Sequence, residues 1–188
     1  MITTVYDTLN ERKNLDRWPL GGNDESYAST DLLVTDHEEA IRLSGTRSIE
    51  EALEFFQQKG VGATVVTNGS KNVYLYADSP IFGQIKPMSI PVSAEVGKRI
   101  KEGQKGDTTG CGDNFAGGVL ASLIEQKHKS DSPKLDLMEA CKWGVVSGGF
   151  ACFYLGGTYY EERPGEKREQ LEALYQAYNV QLHEAGLE

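Results

Sequence analysis

Gly106-Asp107-Thr108-Thr109-Gly110-Cys111-Gly112-Asp113-Asn114-Phe115-Ala116-Gly117-Gly118 passes from a loop of small residues straight into an apolar helix, continued by Val119, Leu120, Leu123 and Ile124. Glycines 110 and 112 let the backbone N–H groups of the turn converge on one point. The helix that begins there adds about half a positive charge at the same place. Together they form an anion hole, suited to the charge that builds on a transferring phosphoryl group. Asp113 falls in the first turn of that helix, where its carboxylate faces the same point and can accept the proton of an attacking hydroxyl. Composition alone leaves a second reading open, in which Asp113 is an ordinary N-terminal helix acid and the glycines are an ordinary loop. No GxxxxGK[ST] pattern occurs anywhere in the chain, so a P-loop enzyme is disfavoured.

Working outward, the order of elements predicts a layered α/β domain spanning residues 1–188 as a single unit. Ile2–Tyr6 and Leu32–Thr35 read as short buried strands, with a polar loop punctuated by Pro19, Gly21 and Gly22 over residues 10–30. A helix from Asp36 to Ser44 is closed by Gly45. A second opens with a capping box from Ser48 to Glu51 and buries Ile49, Ala52, Leu53 and Phe56 before Gly60. Ala63–Thr67 has no apolar–polar alternation, the pattern of a strand covered on both faces. Val73–Tyr76 and Ile81–Ile85 are further candidate strands, and helices are predicted at about 113–127, 136–154 and 165–183. In the last of these, Leu171, Leu174, Tyr175 and Tyr178 share one face, as core packing requires.

Two more spots carry candidate chemistry. Asp36-His37-Glu38-Glu39 places two carboxylates at a helix start, where they serve either as hard oxygen ligands or as a plain capping box. Thr67-Asn68-Gly69-Ser70 ends a strand in a small turn, the place where α/β sheets bind ligands, or else simply a hairpin into Val73–Tyr76.

Bulk properties narrow the function classes. With 19 Lys and Arg against 28 Asp and Glu, the formal charge of −9 disfavours nucleic acid as a partner. The three cysteines, Cys111, Cys141 and Cys152, form no paired spacing, so a disulfide framework is not expected and a reducing compartment is. No zinc-type histidine pair is present. The N-terminus lacks the features of a signal peptide and no stretch has the length of a membrane span, which leads to the expectation of a cytoplasmic protein without membrane contact.

The motif Asp107-Thr108-Thr109-Gly110-Cys111-Gly112-Asp113 resembles the DTxGAGD signature of ribokinase-type (PfkB-family) kinases, with Cys111 where that family usually has Ala. The resemblance implies that Gly110, Cys111 and Gly112 form the anion hole and that Asp113 is the catalytic base. It also implies that Asp36 and Glu39 correspond to an NxxE motif organising Mg²⁺ and phosphates, usually through water, with Asp36 in place of Asn. Thr67, Asn68, Gly69 and Ser70 then resemble the family's T-x-G-(S/A) turn against the nucleotide, with Gly112 also at the phosphates. Asp107, Thr109 and the loop around Gly156 fall where many relatives bind an activating K⁺, although Tyr160 stands roughly where they carry a small hydroxyl residue. Asp7, Asn10, Arg12 and Trp18 resemble a D-P-N-x-R…W segment found near the middle of the family's proteins, with one extra residue. The resemblance therefore implies the C-terminal half of a ribokinase-like αβα sandwich, without a β-lid and without the front-half GGxxxN motif, since Ser26 stands where the Asn should follow Gly21-Gly22. It leads to two expectations. One is ATP-dependent phosphorylation of a sugar or nucleoside hydroxyl. The other is a non-catalytic nucleotide-binding module that is inactive alone or works with a partner chain. An uncovered sheet edge would favour a homo-oligomer or a partner that supplies the missing half.

Overall fold

The computed structural model describes residues 2–4, 25–129 and 132–187. They fall into two compact units, Met1–Ser89 with Pro133–Leu135, and Ile90–Ser132 with Asp136–Glu188.

The first unit is built on a sheet with strand order β1-β2-β3-β4-β5. β1 (Ile2–Thr4), β2 (Leu32–Asp36) and β3 (Ala63–Thr67) run parallel, and β4 (Asn72–Ala77) returns antiparallel to β3. β2 and β3 are buried along nearly their whole length, which explains their unalternating Val- and Leu-rich sequences. Helices α2 (His37–Ser44) and α3 (Ile49–Gln58) connect β2 to β3. α3 buries Ile49, Ala52, Leu53 and Phe56, the face expected from its spacing, and Ser48 caps it by accepting from the Glu51 N–H. The capping box foreseen there is only half formed, because the Glu51 carboxylate accepts from the Arg47 N–H at 2.9 Å instead.

Three expectations need correction in this unit. Within the stretch read as a loop, Glu25–Ala28 forms a helical turn, α1. It is held by tertiary contact, with Tyr27 buried against the rings of Phe55 and Phe56 and Thr30 donating to the Ser26 carbonyl. β2 also continues one residue further, to Asp36. Finally, Ile81–Ile85 is no strand. Phe82 makes an isolated bridge to Leu135, and β5 runs instead from Ile85 to Pro91. Pro87 and Pro91 argue against a strand, yet β5 stands last in the sheet order, where a missing N–H is tolerated.

The second unit is helical: α4 (Ala94–Lys101), α5 (Cys111–Lys129), α6 (Leu137–Ala151) and α7 (Glu166–Glu184), with a single 3₁₀ turn at Leu155–Gly157. α4 is an element that apolar periodicity does not announce. α5 and α6 pack antiparallel with almost no space between their backbones. A Cβ on Gly118 would lie 2.6 Å from the Trp143 carbonyl oxygen, and one on Gly148 would lie 2.9 Å from that of Cys111. This close seam brings the end of α6 to the first residue of α5. Leu171, Leu174 and Tyr178 of α7 are buried as expected, joined by Leu182, while Tyr175 stacks on Trp143 with ring centroids 4.1 Å apart. Among the described residues, no helix is long and apolar enough to cross a membrane.

Candidate active site

In the first unit, the candidate residues gather at the carboxyl ends of two parallel strands. Asp36 is in register with Thr67, so the Asp36–Glu39 segment and the Thr67–Ser70 turn come side by side. Asp36 caps α2: its Oδ1 accepts from the Glu39 N–H at 2.8 Å. The Glu39 Oε2 accepts in turn from the Asp36 N–H at 3.4 Å and from the Thr35 hydroxyl at 2.9 Å. The structural reading of D-x-x-E is thus realised as a complete capping box. It occupies Oδ1 of Asp36, and Oδ2 has no hydrogen-bond partner among the described residues. The turn after Thr67 likewise has hairpin form, with Asn68 N–H donating to the Asn72 carbonyl at 3.0 Å and Gly69 in the left-handed region at φ 55°.

In the second unit, the Gly106–Asp113 segment is held by bonds to the end of α6, to the 155–157 turn and to Asn114. The Gly106 N–H donates to the Cys152 carbonyl at 2.8 Å, and a Cβ at Gly106 would collide with Tyr154 O at 2.1 Å. Asp107 turns its carboxylate inward, where it accepts from the Thr109 N–H at 2.9 Å and from the Gly156 N–H at 3.1 and 3.2 Å. These backbone donors, Gly156 foremost and then Thr109, hold the Asp107 carboxyl below the usual carboxylate range. Asn114 ties the far side: its amide nitrogen donates to Gly110 O and to Gly157 O, each at 2.9 Å, and its amide oxygen accepts from Lys167 Nζ at 2.7 Å. Burial lowers the Lys167 pKa. Sequence reasoning passed over Asn114 and Lys167. The available signal was a polar residue beside Asp113 at the start of an otherwise apolar helix.

Gly110, at φ 72°, makes the left-handed step into α5, and the Asn114 N–H closes the first turn onto its carbonyl at 2.9 Å. Cys111 opens the helix, so Gly112 and Asp113 lie in its first turn rather than in the preceding loop. The Cys111 N–H donates to Thr108 O at 3.3 Å, whereas helix geometry leaves the N–H groups of Gly112 and Asp113 without an intrahelical acceptor. The Asp113 side chain is exposed and has neither hydrogen bond nor ion pair among the described residues. Asp113 also lines an open cleft of about 550 Å³, together with Asn114, Trp143, Lys167 and Arg168. The cations of that cleft are engaged: Lys167 with Asn114, and Arg168 with Glu125 at 3.1 Å while it lies over the Trp143 ring.

Among the described residues, no group of three His, Cys, Asp or Glu side chains is placed to hold a metal. Asp36 and Glu39 would suit Mg²⁺ only as two carboxylates acting with water and phosphate oxygens. Asp7, Asn10, Arg12 and Trp18 lie outside the described residues.

The profile of the pfkB family carbohydrate kinases matches residues 16–163, and the chain belongs to that family. It is 27% identical over 124 residues to the cytidine kinase of Thermococcus kodakarensis, covering 64% of this chain and 40% of that protein. Its fold is similar to that of a ribokinase from Thermotoga maritima, with a TM-score of 0.61 at 24% identity over 84% of this chain and 46% of the other. It is also similar to an Arabidopsis thaliana ribokinase solved with ribose and ATP, with a TM-score of 0.56 at 22% identity and the same coverages of 84% and 46%. The chain therefore has a ribokinase-like α/β fold and spans less than half the length of these relatives.

Proposed function

We propose that this chain supplies the nucleotide-binding and phosphoryl-transfer part of a kinase that uses ATP to phosphorylate a hydroxyl group of a small sugar or nucleoside. The observation that carries this reading is the contrast at the start of α5. Asp107, Asn114 and Lys167 are each committed to a partner, while Asp113 itself is exposed and unpartnered among the described residues, beside open N–H donors.

In this reading Asp113 accepts the proton of the acceptor hydroxyl as its oxygen bonds to the γ-phosphorus, and the bond from that phosphorus to the β–γ bridging oxygen breaks to release ADP. The open N–H groups at the end of the Gly110–Cys111–Gly112 turn, those of Gly112 and Asp113, face the charge on the transferring group. Cys111 contributes backbone only, and its thiol takes no part as a nucleophile. Thr67, Asn68, Gly69 and Ser70 lie against the nucleotide, and Asp36 and Glu39 hold Mg²⁺ through water. Mg²⁺ supplies neutralisation of the phosphate charge. The ionised Asp107, with Thr109, is the local attraction for a monovalent cation such as K⁺.

A second reading is a nucleotide-binding module that needs a partner chain for turnover. It is supported by the coverage of less than half of each relative.

The test is acceptor-dependent ADP release from the purified chain across a panel of sugars and nucleosides, repeated with Asp113→Asn. The variant is expected to lose roughly 10²–10⁴-fold in kcat with ATP affinity unchanged. Full turnover by Asp113→Asn would remove the base from the mechanism. MgATP binding without turnover by the wild-type chain would favour the second reading.

A further inference from the structure

The antiparallel seam between α5 and α6 places Cys111, the first residue of α5, against Cys152, which caps α6, with their Sγ atoms 2.9 Å apart. Both are free thiols and partly exposed, whereas Cys141 is fully buried within α6. The backbones on both sides are already held: Gly106 N–H donates to Cys152 O at 2.8 Å, Cys111 N–H to Thr108 O at 3.3 Å, and Gly148 abuts the Cys111 carbonyl. A disulfide needs its sulfurs about 2.05 Å apart, so the remaining approach of about 0.9 Å falls within reach of side-chain torsions.

We propose that Cys111 and Cys152 form a site of reversible thiol oxidation, closing to an intrachain disulfide when hydrogen peroxide reaches them. In the first step the thiolate of one of the two cysteines attacks a peroxide oxygen. The O–O bond breaks, the sulfur is oxidised by two electrons to a sulfenic acid, and the departing oxygen leaves as water after taking up a proton. In the second step the sulfur of the other cysteine attacks that of the sulfenic acid. The S–S bond forms, the S–O bond breaks, and the released hydroxide leaves as a second water with the proton of the second thiol. A dithiol reductant reverses the bridge. Either thiol can donate to the other across the 2.9 Å contact, so the sulfur that ionises first has its resolving partner already in place. Two thiols that meet only as small packing groups would resemble Cys141, closed off from solvent.

The bridge would staple the middle residue of the turn used as the anion hole to the end of α6. That consequence rests on the proposed function, but the cross-link itself does not and is read by mass alone. Lys105, Lys127, Lys134 and Lys142 place the three cysteines on separate tryptic peptides. The purified chain is treated with hydrogen peroxide, its remaining thiols are blocked, and non-reducing digests are mapped. The expected result is a Cys111–Cys152 linked peptide pair lacking two hydrogens, dissolved by dithiothreitol, with Cys141 left as a blocked thiol. In Cys111→Ser and Cys152→Ser the cross-link should be lost, with trappable sulfenic acid on the remaining cysteine of at least one of the two variants, which identifies the attacking sulfur. Sulfinic acid on either cysteine without cross-link, or disulfides only between separate chains, would overturn the proposal.

Discussion

At the carboxyl end of β2, Asp36 and Glu39 bind each other's backbone into the first turn of α2, whereas at the start of α5 Asp113 is exposed and without a partner among the described residues. Both places are acidic helix starts, and in sequence they look alike. They differ in what the surroundings ask of the carboxylate. At α2 the helix needs its cap, so chemistry there must share the side chain with a structural duty. At α5 the Asp113 side chain takes no capping bond, while Gly110 turns the chain and Asn114 and Asp107 hold the loop. An acid relieved of structural work is free to exchange a proton.

The largest effect should come from breaking the lock that frees Asp113. Gly157 has φ 64°, and a Cβ there would lie 2.2 Å from Thr109 O. Gly157→Ala should cost about 2–4 kcal/mol of stability from left-handed strain and forced displacement, measured by urea denaturation. An unchanged midpoint would mean that the loop is not held as described.

Next is the cap. Asp36→Ala should cost about 1 kcal/mol, whereas Asp36→Asn, an equally good capping residue, should cost only a few tenths. A loss of similar size in both would show that charge rather than capping governs Asp36. The contrasting variant, Asp113→Asn, should leave stability within about 0.5 kcal/mol of wild type. A larger loss would mean that Asp113 has structural work of its own.

The smallest effect concerns pH. The Asp107 carboxyl is held below its ordinary range by the Gly156 and Thr109 N–H groups. Its contribution to stability is therefore present above the unfolded carboxylate pKa and lost as pH falls through the lower folded value. Loop amides near Gly156 should keep their hydrogen-exchange protection at mildly acidic pH and lose it only in stronger acid. In Asp107→Asn, this acid-dependent loss should disappear.

Much of this was readable in the sequence. β3 was legible from its unbroken apolar run, and α3 from its spacing and the Ser48 cap, because both follow from burial along one element. The position of Asp113 in a first helical turn followed from the glycine pattern. What could not be read depended on distant partners. α1 forms because Tyr27 meets Phe55 and Phe56. α4 hides because Val96 is its single buried residue and Gly97 interrupts it. β5 was displaced in the reading because Pro87 and Pro91 speak against a strand unless its place in the sheet is known. At the site, Asn114 bonds to residues 43 and 53 positions away, a relation that no local pattern encodes.

The most direct measurement is calorimetric titration of ATP with Mg²⁺ into the wild-type protein, Asp36→Ala and Asp113→Asn. The account predicts saturable binding to wild type, affinity in Asp113→Asn equal to it, and a loss of about tenfold, or roughly 1.4 kcal/mol, in Asp36→Ala. Absence of binding by the folded wild-type protein, or an equal loss in both variants, would contradict the division of labour between the two carboxylate sites.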